Sequence, residues 1–297
     1  METLVETRRT DVKYETDEPV LYRVDGPVAW VTLNRPGFRN AQNLQMLYAL
    51  DDAFKRAVAD DAVKVIVLNG AGDHFSAGHD IGTPGSDPYE TFDRRVLWYG
   101  HANKPEAEML YSLEQDAYLG MCRRWREIAK PTIACVQGAC VAGGLMLAWV
   151  CDFIIASEDA FFQDPVVRMG VPGVEYFAHA FEMHPRIAKE FLMMGERMYA
   201  PRAYEVGMVN RCVPREKLEE TVRAYASRLA EMPRLALALS KQAINLVEDL
   251  RGKRAANDAQ FHMHHFAHAQ NGLVSGHPIA GLDAKAMAKT NKLKSTE

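Results

Sequence analysis

Three short apolar runs constrain this chain most: VKVIVLNG over 63–70, PTIACVQG over 131–138 and DFIIAS over 152–157. They are rich in β-branched residues and bounded by glycine or polar turns, so they read as buried strands. PVLYRVDGPVAWVTLN over 19–34 alternates apolar and polar positions on both sides of Asp25-Gly26 and reads as a pair of strands joined by a turn. From Asn43 to Val58 the residues Leu44, Leu47, Leu50, Phe54 and Val58 recur every three or four positions, which predicts a helix with one buried face. AGGLMLAWVC over 142–151 reads as a short buried helix. Strand, glycine turn and helix thus recur without a fixed period, which predicts an α/β fold.

After Pro214 the pattern changes. The stretches REKLEETVRAYASRLAEM, 234–250 and 254–270 are helical by periodicity. Two regions are expected: a core over 1–214 and a helical region over 215–297. Between the first two buried strands lies a polar, irregular stretch from Gly82 to Met109 with Pro84, Gly85, Pro88, Gly100 and Pro105. A loop of this length is more often functional than incidental, and a lid is expected there.

Composition narrows the function classes. The chain has 297 residues, 48% hydrophobic and 25% charged, with a formal net charge of −4. It has no basic field for a phosphate backbone, so nucleic acid is not an expected partner. The longest apolar runs fall far short of the roughly 20 residues of a membrane-spanning helix. The acidic N-terminus has no apolar signal core, which predicts a cytoplasmic protein. Five cysteines, odd in number and never in C-x-x-C, read as reduced core thiols.

Two glycine turns matter most, GAGDHFSAGHD over 70–80 and QGACVAGGL over 137–145, and on pattern alone they read as structural glycines before they read as an anion site. Each follows a strand, and unpaired amides at such turns can face an anion. Neither is a nucleotide loop: Phe75 stands where a third glycine is needed, and His74 removes the first glycine of a nucleophile elbow around Ser76.

These turns, with AWVTLNRPGFRNAQN over 29–43, FSAGHDI over 75–81 and PTIACVQGACVAGGLMLAWVCDFIIAS over 131–157, resemble the crotonase (enoyl-CoA hydratase/isomerase) superfamily in order and separation. The resemblance runs from about Pro19 to about Val213. It implies a spiral of ββα repeats, C-terminal helices used in oligomerisation, and trimers or hexamers. It also implies an acyl-CoA thioester substrate, with coenzyme A part of the substrate and no separate cofactor. The thioester carbonyl would lie between the backbone amides of His79 and Gly143. Phe38, Arg39, Ala41, Ala77, Asp80, Ile81 and Gly144 would line the coenzyme A and thioester path.

The resemblance also marks a departure. Typical hydratases carry two glutamates at the positions occupied here by Met146 and Val166, and neither residue can transfer a proton. Glu175 is the expected replacement acid or base, because burial beside Tyr176 and Phe177 would raise its pKa. Asp164 is a weaker candidate that also reads as a turn residue. His179, His101, Glu114 and Asp116 rank below Glu175, and Trp98, Tyr111 and Tyr118 read as pocket lining. Hydration by an unusual base, isomerisation, thioester hydrolysis, decarboxylation and non-catalytic acyl-CoA binding all remain open. In Phe261-His262-Met263-His264-His265-Phe266-Ala267-His268, His264 and His268 share a helix face, but no H-E-x-x-H pattern accompanies them and no metal is expected. Met193 and Met194 read as core or acyl-pocket filling.

Overall fold

Strand alternation decides how the layers stack. The computed structural model describes residues 18–81, 104 and 106–280. β1 (Val20–Asp25) pairs antiparallel with β2 (Val28–Leu33) across the Asp25-Gly26 turn. In β2, Ala29, Val31 and Leu33 enter one core while Val28 and Trp30 enter another. A strand buried on both faces needs apolar residues at every position, which is how it reads in the sequence. α1 (Leu44–Ala59) starts at Asn43, whose side chain accepts the Met46 amide at 2.9 Å and so caps an otherwise orphaned donor.

β3 (Val65–Gly70) follows and lies parallel to β2. α2 (Glu106–Leu113) passes through a π-helical segment, Glu114–Gly120, into α3 (Met121–Arg126). Next come β4 (Thr132–Val136), β5 (Ala139–Val141), α4 (Gly143–Trp149), β6 (Phe153–Ser157) and β7 (Phe161–Gln163). α5 (His179–Glu182), α6 (Pro185–Met194), β8 (Met198–Tyr199), α7 (Ala200–Glu205) and β9 (Arg211–Val213) complete the sheet-bearing part. α8 (Leu218–Ala230), α9 (Arg234–Leu250) and α10 (Lys253–Ser275) are the C-terminal helices.

The main sheet has the order β1-β2-β3-β4-β6-β9 and is parallel from β2 onward. A small sheet, β5-β7-β8, stands beside it. On one face of the main sheet, Leu47 and Phe54 of α1, Trp125 of α3 and Leu147 of α4 share a core with Ile66, Leu68 and Ala134. On the other face, Leu218, Val222 and Ala226 of α8 cover Trp30, Val67, Ile133 and Ile155. Buried Asp51 ties α1 to α3 by accepting from the Trp125 indole at 3.0 Å, and Lys55 stands 2.6 Å from its other oxygen. This is the mixed α/β fold expected from the sequence, with its helical C-terminal segment.

Met193 and Met194 correct the expectation that they fill the core, because they are 68% and 56% exposed. In α6 the buried stripe is taken by Ala188 and Phe191, and the last helical turn carries both methionines off that stripe. Of the lid expected over Gly82 to Met109, residues 82–103 and 105 lie outside the described residues, as do His101 and Trp98. No helix among the described residues is long and apolar enough to cross a membrane.

Candidate active site

The two glycine turns are knitted together by backbone hydrogen bonds. Phe75 N–H donates to Gln137 O at 2.8 Å, Ser76 N–H to Ala139 O at 3.0 Å, and Val141 N–H to Ser76 O at 3.0 Å. On its other side the first turn joins the 38–43 segment, where Gln42 N–H donates to Gly78 O at 2.8 Å and Asp80 N–H to Gln42 O at 2.9 Å. The Ser76 hydroxyl, fully buried, donates to Asn40 O at 2.8 Å and accepts from the Gln42 amide at 2.9 Å. Ser76 is thus engaged in the turn's own framework.

Close approach explains the glycines. A Cβ on Gly78, which has φ +93°, would stand 3.1 Å from the Gly143 nitrogen and 2.7 Å from Val141 O. A Cβ on Gly143 would stand 2.7 Å from the His79 ring, and one on Gly144 would stand 2.6 Å from Ser76 O. Ala142, immediately before α4, holds φ 47° and ψ −111°, a strained conformation for a residue with a side chain. Among the described residues, the amides of His79 and Gly143 donate to no acceptor. Every neighbouring amide of the Ser76–Gly78 turn is engaged: Ser76 and Ala77 with carbonyls, Gly78 with the Ser76 hydroxyl at 3.2 Å.

Around this junction the other candidates fall into three groups. Phe38 and Ala41 are half-buried, Arg39 and Ile81 are exposed, and Ala77 is half-buried on the adjoining turn. Asp80 is committed to Arg35, with Nη2 to Oδ2 at 2.9 Å and both side chains nearly inaccessible. The half-buried Phe38 ring lies under the same guanidinium at 4.6 Å. Met146 is buried in α4, and Val166 packs at the edge of the same core.

Glu175 is buried, and its Oε1 lies 3.7 Å from His79 Nδ1 and 3.6 Å from His264 Nε2. Burial, reinforced by the nearby Glu114 charge, pushes its carboxyl up to about 8. The His79 ring stacks on Tyr118 with centroids 3.8 Å apart. Burial pulls this imidazole down to about 4, so the ring is neutral near pH 7. His79 thus stands beside Tyr118 with a neutral ring and an uncommitted amide.

Asp164 belongs to a separate arrangement. It is fully buried, its Oδ2 faces His179 Nε2 at 2.8 Å, and it accepts the amides of Val166 and Val174 at 3.3 Å each. His179 is held edge-on to Trp149 with centroids 4.8 Å apart. This pair clasps both ends of the 165–174 loop that delivers Glu175. Asp164 is thus spent on local structure.

Glu114 opens the π-helical segment, a widened turn of the kind that often marks functional positions. Its carboxylate faces His264 and His265 of α10 at 3.4 and 3.1 Å, with His268 at 4.0 Å. Burial alone would raise the Glu114 carboxyl, but these imidazoles overcome it and hold the group below the usual carboxylate range. The same contact, working against burial, lifts His264 to about 9. The sequence alone does not join Glu114 to the histidines, since the carboxylate comes from a helix far earlier in the chain. Tyr111 stands with its ring 4.7 Å from that of His265. Asp116 is buried in the same segment.

A cavity of about 590 Å³ elsewhere is lined by Arg123, Arg124, Arg126 and Asp249. Arg126 there is already bonded to Glu248, Asp249 and Asn245 O, so its charge is satisfied within the chain. The glycine turns, with Glu175, remain the better candidate site.

Comparison with known proteins gives the family. The family model described as enoyl-CoA hydratase/isomerase matches residues 23–97 and 100–276. A Mycobacterium tuberculosis protein provisionally named an enoyl-CoA hydratase, EchA13, is 40% identical over 274 residues, 89% of this chain and 83% of its own length. The 1,2-epoxyphenylacetyl-CoA isomerase of Escherichia coli is 30% identical over 78% of this chain and 83% of its own. The crystal structure of a provisionally named enoyl-CoA hydratase from Mycobacterium thermoresistibile superimposes with a TM-score of 0.80 at 44% identity, covering 88% of this chain and 99% of that one. The chain belongs to the enoyl-CoA hydratase/isomerase family, the crotonase superfamily, and is an enzyme of that family.

Proposed function

We propose that the protein binds an acyl-CoA thioester, stabilises its enolate between the amides of His79 and Gly143, and moves one proton at the acyl chain with Glu175. The observation that carries this reading is the pair of uncommitted amides at the junction of the two glycine turns. Two fixed donors stabilise a developing oxyanion more than a neutral carbonyl, and one such donor is worth roughly 3 kcal/mol of barrier. Glu175 lies against the ring of the same His79, with Oε1 3.7 Å from Nδ1. One acid/base group suits double-bond isomerisation, in which a proton leaves one carbon and returns at another. Methionine and valine at positions 146 and 166 weigh against the two-glutamate hydration route.

Phe38, Arg39, Ala41, Ala77 and Ile81 would flank the coenzyme A portion, with Arg39 free to meet a phosphate. Asp80 would act there through its grip on Arg35, and Gly144 by letting α4 approach Ser76 closely. Coenzyme A enters as part of the substrate, and the chemistry needs no redox cofactor. A cytoplasmic location fits this substrate.

The test is a panel of 2- and 3-enoyl-CoA thioesters, followed by enoyl absorbance and by deuterium uptake at the α-carbon. Isomerisation or α-exchange supports the reading. Binding without exchange or turnover defeats it in favour of a scaffold, and release of free coenzyme A defeats it in favour of hydrolysis.

We also infer a trimer or a dimer of trimers. Leu235, Leu239 and Leu250 of α9 and Phe266 and Leu273 of α10 are all more than half exposed, apolar side chains that association with further copies would cover. Light scattering is expected to return three or six chains, and a monomer at micromolar concentration refutes this assignment.

A further inference from the structure

The histidine-rich stretch of α10 performs no step of the reaction just described, although His264 Nε2 lies 3.6 Å from Glu175 Oε1, and its packing asks for a cation. His264 and His268 stand one helical turn apart with their Nε2 atoms separated by 2.8 Å. Each ring is fixed from behind: His264 Nδ1 bonds Gly173 O at 2.7 Å, and His268 Nδ1 bonds Pro278 O at 2.8 Å. A carbonyl oxygen only accepts, so both Nδ1 atoms carry the hydrogen. In the neutral rings both Nε2 atoms then present lone pairs to each other at close range. Something positive must stand between them, either a proton or a metal ion.

The surroundings distinguish the two. A single proton on one Nε2 satisfies that pair, and the case for a metal rests on the further donors gathered around it. Glu114 Oε2 and His265 Nε2 lie 3.1 Å apart, buried, and neither has a directed hydrogen-bond partner among the described residues. Glu114 Oε2 is also 3.4 Å from His264 Nε2. One ligand atom from each of Glu114, His264 and His268 falls within a 4.8 Å span. With metal–ligand bonds of about 2.0–2.2 Å, neighbouring ligand atoms of a tetrahedral site sit roughly 3.3 Å apart. The separations here bracket that value, and small side-chain rotations close the difference.

We propose that Glu114, His264 and His268, with His265 beside Glu114, bind one divalent transition-metal ion of the zinc class. The donors are imidazole nitrogen and carboxylate oxygen without thiolate, a set suited to zinc or ferrous iron and poorly suited to calcium or magnesium. Carbonyls holding the Nδ1–H of a ligating histidine are the usual supports of such sites. The ion clamps α10 onto the π-helical segment, two elements joined at this point through side chains. This inference stands on the four side chains alone and does not depend on the acyl-CoA reading.

The experiment uses the full chain, free of any histidine tag, stripped with chelator and then titrated with zinc against a chromogenic competitor. Wild type is expected to bind one equivalent with a Kd below about 1 μM, and His268→Ala and Glu114→Gln each to weaken binding by ~100-fold or more. Cobalt(II) loaded in place of zinc is expected to give the intense visible bands of a four-coordinate site. His262→Ala, an exposed histidine of the same helix, is the control and should bind as wild type does. Sub-stoichiometric binding, a Kd weaker than about 100 μM, or equal weakening by His262→Ala overturns the site and leaves the proton between His264 and His268. Because the cobalt spectrum is read on wild type, the result stands even where a variant fails to fold.

Discussion

Glu175→Gln is expected to lower turnover of an accepted acyl-CoA thioester by at least ~100-fold, the lower bound for losing a positioned acid or base. Affinity for the thioester should change by no more than about threefold. The substitution keeps the shape of the side chain and removes its ability to exchange a proton. Glu175 is buried with Oε1 against His79 Nδ1 and His264 Nε2, so an amide fills the same space without opening a cavity. The two proposed oxyanion donors are backbone groups on other segments and remain in place. The signature is therefore a fall in kcat with binding intact, together with loss of deuterium uptake at the α-carbon. Retention of more than a tenth of wild-type turnover removes Glu175 from the proposed proton path. Loss of binding in step with turnover assigns it instead to the shape of the pocket.

Much of the fold is legible locally. The β-branched runs at 63–70, 131–138 and 152–157 form three adjacent parallel strands, because a strand covered on both faces must be apolar throughout. The helix from Leu44 starts one residue after Asn43 because the cap is a short-range interaction that the sequence states directly. The glycine turns are equally plain, since close backbone approach leaves no other residue type. The partners of the titratable groups are not legible in this way. Asp164 looks like a turn residue beside Pro165, and only the fold brings His179 to it. Glu114 carries no local sign of its role: the π-helical turn that aims it inward and the α10 histidines that meet it are far apart in the chain. Periodicity reports which face of a helix is buried, whereas the identity of the facing residue depends on tertiary packing. Met193 and Met194 show the converse limit. Their apolar character suggested burial, yet their place in the last turn of α6 leaves them outside.

Gly138→Ala should destabilise the protein by about 3 kcal/mol or more and lower its Tm by roughly 5–10 °C. Gly138 sits at the start of the second glycine turn with φ +55°, and a Cβ there would lie 2.2 Å from Asp73 O and 2.5 Å from His74 Nδ1. Neither neighbour can yield cheaply. Ala139 N–H donates to that His74 nitrogen at 3.2 Å, and Phe75 N–H donates to Gln137 O at 2.8 Å, so the clash falls where the two turns are joined. Relief requires the 70–80 turn to move away from the second, carrying the His79 amide out of line with that of Gly143. Activity should therefore fall by more than the population of folded protein explains. Gly26→Ala separates strain from clash, because Gly26 has φ +56° and nothing within 4 Å of its would-be Cβ. It should cost only about 1 kcal/mol, the left-handed penalty by itself. If calorimetry finds the two variants equally stable, the turn junction yields more readily than its contacts imply, and the fixed spacing of the two amides loses its support.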